Sequence, residues 1–191
     1  VKNGLELAGY DTSKAVTATD VFVYDTSKDT DGGAWRKRTQ ATSWYNEALN
    51  TATRGSRKEF PAVAVIVAEA AKVTIYDGDD PAMPMWMVFA DGGFLRNGTS
   101  SVFFLNGILA TGDNGVNAIL GTINFLSERM EQNFAGVVDV RIWSNIVNRN
   151  VSNSFVSDSS LPDIVNRTVN DVAMTVLPDA PIDPATGLQI P

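Results

Sequence analysis

The sequence has no cysteine and no histidine in its 191 residues. These absences exclude Cys/His zinc sites, haem ligation, thiol nucleophiles and every Ser-His-Asp or Cys-His catalytic arrangement. They also exclude disulfides, so the missing cysteines say nothing about redox compartment. Long hydrophobic runs are missing too. The longest, Pro61 to Ala68, is strand length and falls well short of the roughly 20 residues of a membrane-spanning helix, so membrane insertion is not expected. Positive charge is scarce: 15 Lys and Arg stand against 22 Asp and Glu, a net charge of -7. Phosphate binding draws on Lys and Arg, so a nucleic-acid partner is not expected either. The chain opens Val1-Lys2-Asn3-Gly4 with no leader or lipidation pattern, and it is expected to be a piece of a longer protein.

What is present points to a folded β domain. Hydrophobic residues make up 44% and charged residues 19%, a globular rather than a disordered balance. Val21-Phe22-Val23-Tyr24 is rich in β-branched and aromatic residues, and it runs into the polar turn 25–33 before the chain resumes at Ala34-Trp35-Arg36-Lys37-Arg38. This reads as a hairpin. Residues 42–50 suit a short helix, with Ser43 as a cap. Phe60 to Ala68 is nearly continuous in apolar character and fits a strand buried on both faces. Val73-Thr74-Ile75-Tyr76 is a further strand. It closes in Asp77-Gly78-Asp79-Asp80-Pro81, and Met85-Trp86-Met87-Val88-Phe89 runs back.

Asn106-Gly107 between two apolar runs is the strongest hairpin signal in the chain. Ala118 to Gln132 reads as strand to about Leu126, then turn or helix. Gly136 to Trp143 alternates as a strand, residues 145–160 form an Asn/Ser-rich loop, and Val169 to Leu177 holds the last strand. The expected organisation is an N-terminal arm or linker over residues 1–19, a β domain with hairpin repeats over 20–177, and a Pro-rich connection to a following domain over 178–191. The fold class is mostly β, with antiparallel hairpins in a propeller-like or sandwich arrangement and at most one or two short helices. Val21, Val23, Val63, Val65, Val67, Val73, Ile75, Trp86 and Val88 are the expected core. Val21–Asp25 matches Val73–Asp77, each followed by an Asp-rich turn and a Trp, Trp35 and Trp86. The offset of about 50 residues lies in the range of propeller blades.

The candidate chemistry is thin. Asp25, Asp29 and Asp31, or Asp77, Asp79 and Asp80, are oxygen ligands suited to calcium, although neither loop has EF-hand spacing and hairpin turns favour Asp for backbone reasons alone. Ser27-Lys28-Asp29 with Gly32 and Trp35 resembles the Asp-box hairpin of sialidase-type propellers, with one residue too many before the Trp. No Asp or Glu stands alone inside an apolar segment, where a raised pKa for glycosidase chemistry would be built. No catalytic turnover and no cofactor are expected. Arg36, Lys37, Arg38, Arg54, Arg57 and Lys58 are the one basic concentration. They read either as a solvated face or as a docking patch for an acidic neighbouring subunit.

Four runs carry a resemblance. They are residues 21–38, Ala52 to Pro61, Val73 to Phe89 and Asn170 to Gly187. Together they resemble the N-terminal region of tail-fibre-like, propeller-repeat structural proteins in the virions of marine tailed bacteriophages. Residues 94–160 resemble them poorly. The resemblance implies a virion component, the tail-proximal part of a tail fibre or a related tail protein, acting in assembly and host attachment. The partners it implies are copies of the chain itself, as a trimer by analogy to fibres, together with other phage tail proteins. A glycan- or receptor-binding β module is the alternative, with a host-surface glycan or receptor as ligand, and a propeller-type glycosidase comes after that.

Overall fold

The computed structural model describes residues 9–96, 98–115, 119–134, 140–160, 164 and 168–191. The alternating and continuous apolar runs become two antiparallel sheets. One has four strands in the order β1-β2-β3-β4, made of Asp20–Asp25, Val63–Glu69, Lys72–Asp77 and Met85–Ala90. The other has six strands in the order β10-β9-β8-β7-β6-β5. Its strands are Thr99–Leu105 (β5), Ile108–Asp113 (β6), Ile119–Asn124 (β7), Met130–Phe134 (β8), Val140–Trp143 (β9) and Val156–Asp158 (β10). Among the described residues the only helical pieces are short 3-10 segments, and none is long and apolar enough to cross a membrane. The fold is therefore mostly β, and of the two expected arrangements it is sandwich-like, not a closed barrel.

β2 is the pivot. It pairs with β1 on one side (Val23 opposite Val65) and with β3 on the other (Ile66 opposite Ile75). Both its faces are covered, as its unbroken apolar run requires. Ala64, Ile66 and Ala68 join the main core, while Val65 and Val67 pack with Ala15 and Met83 beneath Tyr10, Ala18, Val21 and Tyr76. The arm at 10–18 thus lies on the chain's own sheet. Its 3-10 helix Thr12–Ala15 is capped by Asp11, which accepts from the Ser13 N–H at 2.9 Å.

The core between the sheets is aromatic. Phe60 sits at its centre, with ring centroids 4.8 Å from Trp86, 5.1 Å from Trp35 and 5.3 Å from both Phe104 and Phe125. Edge-to-face and tilted contacts of this kind add about 0.5–1.5 kcal/mol per pair beyond area burial.

Several expectations are corrected. Val21–Tyr24 and Ala34–Arg38 do not form a hairpin: β1 pairs with β2, and Ala34–Arg38 is a 3-10 helix entered through Gly33 at φ 79°. Residues 42–50 are turns rather than helix, because Trp44 is drawn inward, where its indole N–H donates to the Phe125 carbonyl at 2.7 Å. Of the turn or helix expected after about Leu126, the structure has the turn, at 125–127, but strand β8 (Met130–Phe134) then follows within the segment. The loop expected over 145–160 contains a 3-10 helix, Ile146–Asn150, and the short strand β10. Residues 169–177 carry no strand pairing. The β9 assignment holds for Val140–Trp143, while residues 135–139 lie outside the described set.

Of the expected core, Val65, Val67, Val73, Ile75 and Trp86 are fully buried. Val21, Val63 and Val88 are half-buried, and Val23 is 37% exposed because β1 is an edge strand. The internal match also has a different meaning. β1 and β3 flank β2 on opposite sides, whereas Trp35 and Trp86 come from a 3-10 helix and a strand and meet at Phe60.

Candidate functional site

The Asp-rich turns use their carboxylates on their own chain. Asp25 accepts from the Ser27 N–H at 3.0 Å and the Ser27 hydroxyl at 2.7 Å. Asp31 accepts from the Gly33 N–H at 3.0 Å and pairs with Arg38 at 3.0 Å. Asp29 is buried and acts as a cross-tie. It accepts from the Trp35 indole N–H at 2.7 Å, from the Asn106 N–H at 2.9 Å and from the Tyr24 hydroxyl. Burial raises the Asp29 pKa, and the three donors only partly offset that. Burial and the adjacent Asp29 together raise Tyr24.

In the second turn Asp77 and Asp79 hold Arg57 at 2.6 and 2.7 Å. Asp79 also takes the N–H groups of Ala62 and Val63 at 2.8 Å, which fixes the entry to β2. Asp80 accepts from the Ala82 N–H at 2.9 Å. Among the described residues no group of three or more acidic side chains converges as a metal site would need. The six aspartates considered as calcium ligands are thus placed as turn and cross-tie acceptors.

The basic concentration does not assemble into one free face. Arg54 is fully buried, so docking by it is corrected. Its guanidinium lies 4.5 Å from the Trp86 ring centroid, and it donates to the Lys58 carbonyl at 2.8 Å, the Arg57 carbonyl at 3.1 Å and the Trp44 carbonyl. Arg36 donates to the Phe60 carbonyl at 2.9 Å and pairs with Glu59 at 3.4 Å. Arg38 reaches the Thr186 carbonyl at 2.9 Å, and Lys58 stands over the Tyr45 ring at 5.0 Å. Lys37 is exposed.

Two residues that sequence reasoning passed over complete the ionic interior. Glu47 receives both guanidinium nitrogens of the buried Arg149, at 3.0 and 3.1 Å, and lies 3.6 Å from Arg54. Burial pulls Arg54 down to about 10, against the pull of Glu47 in the other direction. No local signal marks this triad. Glu47 stood in an apparent helix, Arg149 in an Asn-rich loop, and 102 positions separate them.

Open space lies elsewhere. A cleft of about 620 Å³ runs between β1 and β5, walled by Phe22, Val23 and Phe103 and by Thr175 and Val176, with Lys28 also lining it. A second cleft of about 520 Å³ lies over β6 and β7, near Arg129, Glu131 and Asp183. Met174 borders both. The arrangement combines rigid internal bracing with a mixed aromatic and polar groove. No family model, curated protein or solved structure matches this chain.

Proposed function

We propose that the chain is a structural subunit of a tailed-phage virion, the tail-proximal part of a tail fibre or a related tail protein. It assembles there with copies of itself and with other tail proteins and serves host attachment. One observation supports this reading beyond the sequence resemblance. Each of the four resembling runs contributes charged side chains to contacts within the chain: Asp29 in the first, Arg54 and Arg57 in the second, Asp77 and Asp79 in the third, and Asp171, exposed but accepting from Ser101 at 2.7 Å, in the fourth. Charges used this way hold long irregular connections in one geometry, which suits a load-bearing part. Peptide mass spectrometry and antibody labelling of purified virions test it. The chain is expected at the tail, and its absence from particles would overturn the reading.

The cleft between β1 and β5 favours a second reading, a glycan- or receptor-binding module, since pockets of a few hundred Å³ with aromatic walls and a few polar groups are where ligands bind. Binding of the isolated chain to host cells, lost on Phe103→Ala, is the expected outcome under that reading.

A further inference from the structure

The segment Val172 to Leu177 has the sequence of a strand and, among the described residues, pairs with no strand. Its exposure alternates, with Ala173, Thr175 and Leu177 outward and Val172, Met174 and Val176 half-buried, and it contains no turn, bend or positive φ. It is tied at both ends. Upstream, the Val169 N–H donates to the Asp113 carbonyl at 3.2 Å, and Ser101 holds Asp171. Downstream, Asn106 donates to the Gln189 carbonyl at 2.8 Å, and Leu188 is buried. Between these anchors, among the described residues, the N–H groups of Ala173, Met174, Thr175, Val176 and Leu177 have no hydrogen-bond partner.

The edge strand β4 is treated differently. Along β4 the Trp86 carbonyl accepts from Gly55, the Val88 carbonyl accepts from Arg149, and the Ala90 N–H donates to the Asn150 side chain. A row of unpaired main-chain groups is a template for another strand. The cleft of about 620 Å³ runs along Thr175 and Val176, so there is room for one.

We propose that residues 173–177 accept a β-strand from a basic partner, an uncharged β-branched run bracketed by Lys or Arg. Charge selects this occupant. The bare run carries no charge and is bracketed by Asp171 and Asp179, both exposed, on a chain of net charge -7 whose arginines are largely engaged internally. Asp171 precedes the run and Asp179 sits in the turn that closes it, where the Ala180 N–H donates to the Leu177 carbonyl at 3.1 Å, so antiparallel pairing of the run with its own copy brings like charges together at both ends, whereas a strand with basic flanks brings an opposite charge to each aspartate. The inference names the contact chemistry of the assembly role proposed above and rests on that role only for where the partner comes from.

The test uses the isolated 191-residue chain and two cyclic hairpin peptides whose free edge reads Lys-Val-Thr-Val-Thr-Val-Lys or Glu-Val-Thr-Val-Thr-Val-Glu. Amide shift changes are read by NMR. The Lys-flanked peptide is expected to bind about ten-fold tighter than the Glu-flanked one, less so at high salt, with shifts centred on residues 172–178. Asp179→Asn, which suits the left-handed φ of 61° there, narrows the gap between the peptides. Successive N–H groups of a strand face opposite edges, so one of Thr175→Pro and Val176→Pro abolishes binding and the other spares it.

Absence of binding, equal binding of the two peptides, or shifts centred on another edge such as Val156–Asp158 would overturn the proposal. So would a free chain that sediments as a dimer released by either proline variant, because the occupant is then a second copy. All these readouts use the isolated chain, so the virion role stands or falls separately.

Discussion

Glu47 is the residue on which the buried charges depend. It faces the guanidinium groups of Arg54 and Arg149, both essentially inaccessible to water. Glu47→Gln would leave two buried cations without a counter-charge. The expected cost is about 3–5 kcal/mol in urea unfolding, typical of breaking a buried pair from one side. Replacing all three residues by apolar ones of similar volume is expected to cost much less, because the desolvation of the ions disappears with them. Asp29 and Asp113 set a pH dependence of unusual sign. Burial raises both above the ordinary 3.8, so the fold favours their protonated forms. Their contribution is fully present below that value and is lost as pH rises through the raised pKa. Asp25 and Glu69 are lowered by Ser27 and by Lys72 with Thr17, against some burial, so their contribution is present at neutral pH and lost in acid. Thermal melts should therefore show stability rising as pH falls through the raised pKa values of Asp29 and Asp113 and declining in stronger acid, where Asp25 and Glu69 protonate. Asp29→Asn should flatten the rising part, and an unchanged slope in that variant would remove Asp29 from this account.

At the scale of elements, local patterns were readable and distant pairings were not. Asn106-Gly107 announced its hairpin, and the structure has both residues at positive φ, 50° and 74°, with Leu105 opposite Ile108. Gly107→Ala would place a Cβ in the left-handed region and against Leu126, so a loss of about 1–2 kcal/mol is expected by chemical denaturation. Gly55 has a different constraint. Its N–H donates to Trp86, and a Cβ there would fall on the Met85 carbonyl oxygen, so Gly55→Ala should destabilise by displacing the strap on β4. The strands β2 to β6 were legible because period-two alternation and turn residues are local properties. The partner of β1 was not, because its mate lies beyond the connection 26–62, and that connection is built from buried side chains such as Trp35, Trp44 and Arg54 rather than from regular structure. Likewise Asp29 looked like a turn residue, and nothing nearby indicated that Asn106 would be its partner from 77 positions away. The run 172–177 shows the opposite case. Its pattern promised a strand, and the structure keeps the alternation without the ladder.

At the scale of the whole molecule the two sheets are joined by aromatic rings. Phe60 contacts rings from the connection (Trp35), β1 (Tyr24), β4 (Trp86), β5 (Phe104) and the β7–β8 turn (Phe125). Phe60→Ala is expected to cost about 3–5 kcal/mol, measured by equilibrium unfolding, since no single neighbour can close the cavity from all sides. The placement of β1 also governs the order of events as the chain folds. β2, β3 and β4 follow one another through short turns and can pair as soon as they exist, whereas β1 gains its ladder to β2 once the whole of 26–62 has been threaded behind it. Closing so long a loop before any contact rewards it is slow. Refolding should therefore show early protection of β2–β4 amides against hydrogen exchange and late protection of Asp20–Asp25. Changes confined to the connection should slow the second phase and leave the first untouched. A nascent chain released early would carry an open flank on β2, competent to take a strand from a neighbour in place of its own.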